Sequence, residues 1–301
     1  MSSTIFYLGP VGTFTEQAAC DFSTYYGGDR ELVPCRTIFE TIQSLDDADR
    51  AFAVVPYYNL IEGLIQETLD LMFERRLSVF AARQIPIRFV FGGYENGSAG
   101  KTGENVVYSH PKAIAQCSTF LRKNYPGALL KEVASTARSV VKVAEEKTGF
   151  AIARRETFEQ YGVPILFEDV GNKQYSLQNY TEFLITGKTP PPSSTSAQSD
   201  RSRTLVAVMP TVDRVGLLAD ILGQIAFFGI NLLKIHSRPA LCEVRGKGKN
   251  APQMFYLEMD IPRNALELTL CIESLNMRLS RQGERENNVV HILGDYHLIG
   301  N

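Results

Sequence analysis

The sequence predicts an α/β protein: a hinged, two-lobed unit followed by a smaller ferredoxin-like unit. Three observations carry this. β-prone runs alternate with helix-period segments through residue 187. Two late strands, 165–170 and 180–186, read as the chain returning to a lobe it left near residue 78, which implies a cleft. Beyond a Pro- and Ser-rich stretch the order is strand, helix, strand, strand, helix, strand, the βαββαβ pattern.

Taken in order, residues 4–8 are a short β-prone run ending in Gly9-Pro10-Val11-Gly12-Thr13-Phe14-Thr15-Glu16. Thr13 and Glu16 match a capping box, and Ala18, Ala19 and Phe22 carry the helix onward. The glycines let the backbone pass close to a ligand, but their spacing is neither a P-loop nor a dinucleotide fingerprint. A helix over 38–45 leads to a buried strand over 51–55 and then the run Pro56-Tyr57-Tyr58-Asn59-Leu60-Ile61-Glu62-Gly63. Helical spacing resumes at Leu64, Thr68, Leu71 and Met72. Residues 78–88 carry the chain to the second lobe, with 89–92 continuing as strand.

The organising stretch runs Val106-Val107-Tyr108-Ser109-His110-Pro111-Lys112-Ala113-Ile114-Ala115-Gln116-Cys117. A β-branched run breaks at Ser109-His110-Pro111 and continues with helix-period residues through Phe120 and Leu121. Proline suits the first helical position, and Ser109 or His110 caps the turn, so free N–H groups face the cleft as a seat for a carboxylate. Residues 129–133 read as strand, and Ser135-Thr136 cap a helix over 137–147 that stops at Gly149 in a left-handed conformation. A strand over 150–153, a short helix over 156–161 and a break at Gly162-Val163-Pro164 precede the returning strands. Residues 172–179 read as a polar loop. The run Pro190-Pro191-Pro192-Ser193-Ser194-Thr195-Ser196 marks a linker. Strand 204–208, helix 217–228, strand 231–235, strand 254–261, helix 265–281 and strand 289–293 complete the chain.

The bulk numbers exclude several classes. Of 301 residues 44% are hydrophobic and 21% charged, with a formal net charge of −2, so no basic excess supports a nucleic-acid or anionic-membrane partner. Cys20, Cys35, Cys117, Cys242 and Cys271 are scattered, without C-x-x-C or zinc spacing, and predict reduced thiols in a cytosolic protein. The start, Met-Ser-Ser-Thr-Ile-Phe-Tyr, lacks the basic and apolar regions of a signal peptide. No apolar run approaches the roughly 20 residues of a membrane helix.

Six phrases in order resemble the prephenate dehydratase family with a C-terminal ACT domain. They are Gly9-Pro10-Val11-Gly12-Thr13-Phe14; Val54-Val55-Pro56 with Asn59 and Glu62-Gly63; Tyr108-Ser109-His110-Pro111 with Gln116-Cys117; Ser135-Thr136; Asn179-x-Thr181-x-Phe183; and the run from Ile230 to Pro239. The resemblance implies a periplasmic-binding-protein-like catalytic domain over 1–187, with lobes 1–82 plus 165–187 and 83–164. A linker over 188–202 and an ACT regulatory domain over 203–301 follow.

The family's reaction removes water and carbon dioxide from prephenate to give phenylpyruvate. Aromatisation drives it, and the poor hydroxide leaving group demands a positioned proton donor. The resemblance assigns that role to Thr181, acting as a hydrogen-bond donor to developing charge. It assigns Asn59, Ser109 and Gln116 to the catalytic cleft and His110, Ser135, Thr136, Thr13 and Phe183 to substrate binding. It implies phenylalanine as effector, held by Gly216, Leu217, Leu218, Asn231, His236, Ser237, Arg238 and Pro239 between subunits of a homodimer or homotetramer. No metal or organic cofactor is implied.

Three departures bear on this. The family's Thr-Arg-Phe is Thr181-Glu182-Phe183 here, placing an anion where a cation is expected, with Arg154 and Arg155 as candidate replacements. Glu-Asn-Ser becomes Tyr58-Asn59-Leu60. The effector phrases Gly-Ala-Leu and Glu-Ser-Arg-Pro become Gly216-Leu217-Leu218 and His236-Ser237-Arg238-Pro239. Two rival readings stay open: a non-aromatising prephenate decarboxylase, and a non-enzymatic amino-acid sensor. The residues also have plain roles available: Ser109 and His110 as caps, Gln116 as a buried amide, Asn59 as a turn residue, Thr181 as a strand threonine.

Overall fold

The computed structural model describes residues 4–28, 30–47, 50–94, 105–172, 179–191, 202–211, 214–239, 253–280 and 289–300. The chain divides into two compact units, Met1–Ile65 with Arg83–Phe183, and Gln66–Ala82 with Leu184–Asn301. Most of the expected linker, most of the 172–179 loop and Cys242 lie outside the described residues.

The chain opens with β1 (Thr4–Leu8), α1 (Phe14–Tyr25), β2 (Glu31–Cys35), α2 (Ile38–Gln43), β3 (Phe52–Asn59) and the two-residue β4 (Gly63–Leu64). Then come α3 (Gln66–Glu74) and β5 (Ser78–Pro86). Next are β6 (Val90–Tyr94), β7 (Val106–Ser109), α4 (Pro111–Gln116), α5 (Ser118–Asn124), β8 (Leu129–Glu132) and α6 (Thr136–Glu146). The first unit's last elements are β9 (Gly149–Ala153), α7 (Arg155–Tyr161), β10 (Ile165–Phe167) and the start of β11 (Tyr180–Gly187).

The N-terminal unit carries two sheets. One runs β11-β3-β1-β2 with β4 on β3, and β1 is parallel to both neighbours. The other runs β10-β6-β9-β7-β8, with β7 parallel to β8 and β9. Period-two alternation buries both faces of that second sheet. Phe89, Phe91, Val107, Phe150 and Ile152 pack on one side with Ala113, Cys117 and Leu121. Val90, Tyr108, Ala151 and Ala153 pack on the other with Val140, Val143 and Phe158.

The C-terminal unit adds β12 (Arg203–Val208), α8 (Leu217–Phe227), β13 (Leu232–Pro239), β14 (Gln253–Met259), α9 (Leu266–Leu279) and β15 (Val290–Leu298). The strand order β13-β14-β12-β15, antiparallel throughout, is the ferredoxin-like sheet expected from the βαββαβ order. Its core joins Val206, Phe255 and Leu257 to Ile221, Ile225, Cys271 and Leu275 of the two helices. Glu258, fully buried on the opposite face, accepts from Arg203 Nη1 and Lys234 Nζ, each at 2.8 Å.

Four local features differ from the sequence reading. Strand β2 was not expected. The helix after Pro111 breaks at Cys117 (φ −106°) into α4 and α5. The left-handed cap of α6 is Lys147, whose N–H donates to the Val143 carbonyl, while Gly149 (φ +78°) starts β9. Residues 66–82, expected in the first lobe, group with 184–301. The reason is long-range: Asp70 of α3 forms an ion pair with Arg238 of β13 and accepts from the Tyr256 hydroxyl at 3.2 Å. Val79, Ala81 and Ala82 also pair in parallel with β15.

Candidate active site

A cavity of about 330 Å³ in the N-terminal unit is lined by residues from both of its sheets and the turns above them. At its β1 end, Thr13 caps α1, its Oγ1 accepting from the Glu16 N–H at 3.3 Å, while the Glu16 carboxylate accepts from the Gly12 N–H at 2.6 Å. Gly12 sits at φ +86°, and a Cβ there would meet Ala137 and Thr157 at 3.3 Å, so the turn closes tightly under α6 and α7. Phe14 leans edge-on against Phe89, ring centroids 6.3 Å apart, and both line the cavity.

Asn59 ends β3 and is 7% exposed. Its Oδ1 accepts from the backbone N–H groups of Ile61 (3.0 Å) and Glu62 (3.2 Å), an Asx-type turn. Its Nδ2 donates to Thr181 Oγ1 at 2.9 Å, to the Tyr180 carbonyl at 3.2 Å and to Asn179 Oδ1 at 3.2 Å. Thr181 lies on β11, side chain turned into the cavity, with Phe183 two residues on sharing its face. A hydroxyl oxygen already accepting from Asn59 has its own O–H left to give.

The second sheet supplies the facing wall. His110 caps α4: its Nδ1 accepts from the Lys112 N–H at 3.3 Å, which leaves the neutral ring's proton on Nε2. Burial foremost, and then the Lys112 charge, pushes the imidazole below its ordinary pKa. Gln116 closes α4 and lines the cavity, its Oε1 accepting from Asn179 Nδ2 at 3.2 Å. Ser135 caps α6, accepting from the Arg138 N–H at 3.1 Å, and lines the cavity with Thr136.

Thus Thr13, Asn59, His110, Gln116, Ser135, Thr136, Thr181 and Phe183 come together around one cavity. Ser109 is not among the lining residues. It is fully buried, and its Oγ donates to the Ile152 carbonyl at 2.7 Å, tying β7 to β9 beneath the site. Glu182, also fully buried, leaves β11 on the other face and accepts from Gln84 Nε2 at 2.9 Å. Neither arginine proposed to compensate for it lines the cavity. Arg154 donates to the Thr13 carbonyl (3.0 Å) and Gln17 (3.2 Å), and Arg155 pairs with Glu159 and Glu168. The lining cations are Arg36 and Lys112, the latter ion-paired with Glu62.

Sequence reasoning gave no site role to Arg36, Glu62 or Lys112, which line the cavity, although Glu62 stands in a family phrase and Lys112 in the organising stretch; no pattern marks Arg36. Asn179, the first residue of the Asn179-x-Thr181-x-Phe183 phrase, was given no role, although its position two residues before Thr181 on an extended run was a usable signal. The eight effector residues fall into two groups, 216–218 at the start of α8 and 231–239 along β13. Leu217 is in the C-terminal core. His236 and Arg238 share one face of β13 and Ser237 the other. Among the described residues no group of three or more His, Cys, Asp or Glu is arranged to hold a metal ion, and no helix is long and apolar enough to cross a membrane.

A family model described as prephenate dehydratase matches residues 5–191. The chain is 33% identical over 256 residues to a bifunctional chorismate mutase/prephenate dehydratase of Aquifex aeolicus, covering 84% of this chain but only 64% of that protein. It is 29% identical over 299 residues to a prephenate dehydratase of Methanocaldococcus jannaschii, covering 98% of both. Among solved structures, prephenate dehydratase of Arthrobacter aurescens in complex with L-Phe superposes with a TM-score of 0.76 at 24% identity. That match covers 98% of this chain and 90% of the other, and shares the fold.

Proposed function

The chain belongs to the prephenate dehydratase family, and on that premise we propose that it converts prephenate to phenylpyruvate, water and carbon dioxide. The bond to the ring carboxylate breaks, its electron pair enters the ring, and the ring hydroxyl departs as the ring becomes aromatic, taking up one proton from solvent to become water. Thr181 meets that departing oxygen with its O–H. The single observation carrying this is the 2.9 Å bond from Asn59 Nδ2 to Thr181 Oγ1 inside the cavity, which occupies one lone pair of the hydroxyl oxygen and leaves its O–H to be given. Gln116, His110, Ser135 and Thr136 hold the substrate, and Lys112 and Arg36 supply positive charge for a dianion. Ser109 acts by holding β7 against β9, where α4 begins.

The C-terminal unit is read as an ACT domain that binds phenylalanine, in a cytoplasmic homo-oligomer. The ferredoxin-like order supports this, as does the Arthrobacter complex with L-Phe. Exposed apolar side chains on α8, α9 and the edge strand β13 (Phe227, Met277, Leu266, Ile235) give a surface for assembly.

Incubating the protein with prephenate at neutral pH tests the reading. Formation of phenylpyruvate, strongly absorbing in alkali, supports it. A non-aromatic dihydro product identifies a decarboxylase, and binding without turnover identifies a sensor; either result overturns it.

A further inference from the structure

The hydrogen bonds behind the cavity have a direction. Backbone N–H groups only donate, so the atom of Asn59 facing Ile61 and Glu62 is its oxygen, and its amide nitrogen faces β11. The Tyr180 carbonyl, which only accepts, requires the same orientation independently. The two hydrogens of Asn59 Nδ2 are shared among Thr181 Oγ1, the Tyr180 carbonyl and Asn179, and an NH₂ of Asn179 turned towards it would set donor against donor, so Asn179 presents its Oδ1 there, 3.2 Å away. That leaves Asn179 Nδ2 to donate to Gln116, 3.2 Å from Oε1. The Gln116 carboxamide is then oriented: its oxygen is turned back to Asn179, and its NH₂ is the end left for the cavity that Gln116 lines.

Asn179 is 4% exposed, does not line the cavity, and is anchored by its carbonyl accepting from the Ile87 N–H at 2.9 Å. We infer that Asn179 is a positioning residue that transmits the polarity set by the Ile61 and Glu62 N–H groups to Gln116, so that Gln116 meets the substrate as a donor. Resting on the dehydratase reading, this has a consequence for chemistry. Thr181, linked to Asn179 through Asn59, and Gln116, linked to it directly, both present hydrogens, an arrangement suited to the oxygens of a carboxylate and a departing hydroxyl.

Asn179→Asp is the decisive variant. Its carboxylate still accepts from Asn59 but has no donor for Gln116, which turns round and shows the substrate its oxygen. A donor to a charged oxygen replaced by an acceptor is expected to lower kcat/KM roughly tenfold or more, chiefly through KM. In a Gln116→Ala background the same change is expected to cost less than about threefold, because the residue it acts through is gone. An equal cost in both backgrounds, or wild-type kcat/KM in Asn179→Asp, overturns the inference. If Asn179→Asp does not fold, Gln116→Glu decides, since it keeps an acceptor for Asn179 and shows only oxygen to the cavity. Unchanged kcat/KM in that variant overturns the inference. Wild-type protein inert towards prephenate would sink the dehydratase reading instead. Polarity is still read by NMR: the Gln116 side-chain NH₂ signals, identified by their loss in Gln116→Ala, move downfield in Asn179→Asp, and unmoved signals overturn the claim.

Discussion

Thr181 and Glu182 are neighbours on β11, yet their side chains leave on opposite faces, Thr181 into the cavity beside Asn59 and Glu182 into a buried contact with Gln84. The anion that replaces the family's arginine therefore does not line the substrate cavity. Glu182→Gln keeps a partner for Gln84 and is expected to leave kcat and KM for prephenate within about threefold of wild type, by steady-state assay. A tenfold fall in KM would mean that the carboxylate repels the substrate after all.

The sequence reading left open which way Glu182 faces and looked to Arg154 and Arg155 for compensation, although alternation along a strand puts 179, 181 and 183 on one face and 182 on the other. The capping residues were legible for a local reason: Thr13, His110 and Ser135 each carry a side-chain acceptor just ahead of a helix. What could not be read depends on distant partners. Grouping of 66–82 with the C-terminal unit rests on Asp70 meeting Arg238 and Tyr256. Ser109 carries the family phrase but is taken up by the Ile152 carbonyl, a neighbour known only once β7 and β9 pair. The left-handed cap of α6 falls at Lys147, directly after the helix ends at Glu146 and two residues before Gly149, against the glycine preference.

Lys112 lines the cavity with its charge beside Glu62. Lys112→Ala is expected to raise KM for dianionic prephenate several-fold with kcat little changed, and the difference should shrink as salt is added. Unchanged KM at low ionic strength would remove Lys112 from substrate binding.

The His110 pKa is lowered on folding, mainly by burial. The unfolded chain then binds more protons in the window between that lowered value and the ordinary histidine value near 6.5. Stability from this group is complete above the unfolded value and falls as pH drops through the folded one. His110→Asn keeps a cap without titrating, so its loss of stability from pH 7.5 to 5.5, by urea unfolding, is expected to be smaller than that of wild type.

Glu258 is buried between Arg203 and Lys234. Glu258→Ala strands two cations and is expected to cost about 3–5 kcal/mol in the C-terminal unit, by chemical denaturation. A cost below about 1 kcal/mol would mean water reaches the cations.

The central claim is that the Thr181 hydroxyl gives its hydrogen to the departing oxygen. Thr181→Val keeps the side chain's shape and replaces the hydroxyl by a methyl, removing the O–H together with the acceptor for Asn59 Nδ2, so the rate of phenylpyruvate formation at saturating prephenate tests the claim directly. A fall in kcat on the order of 10²-fold or more is expected in a variant that still folds. A kcat near wild type would contradict it.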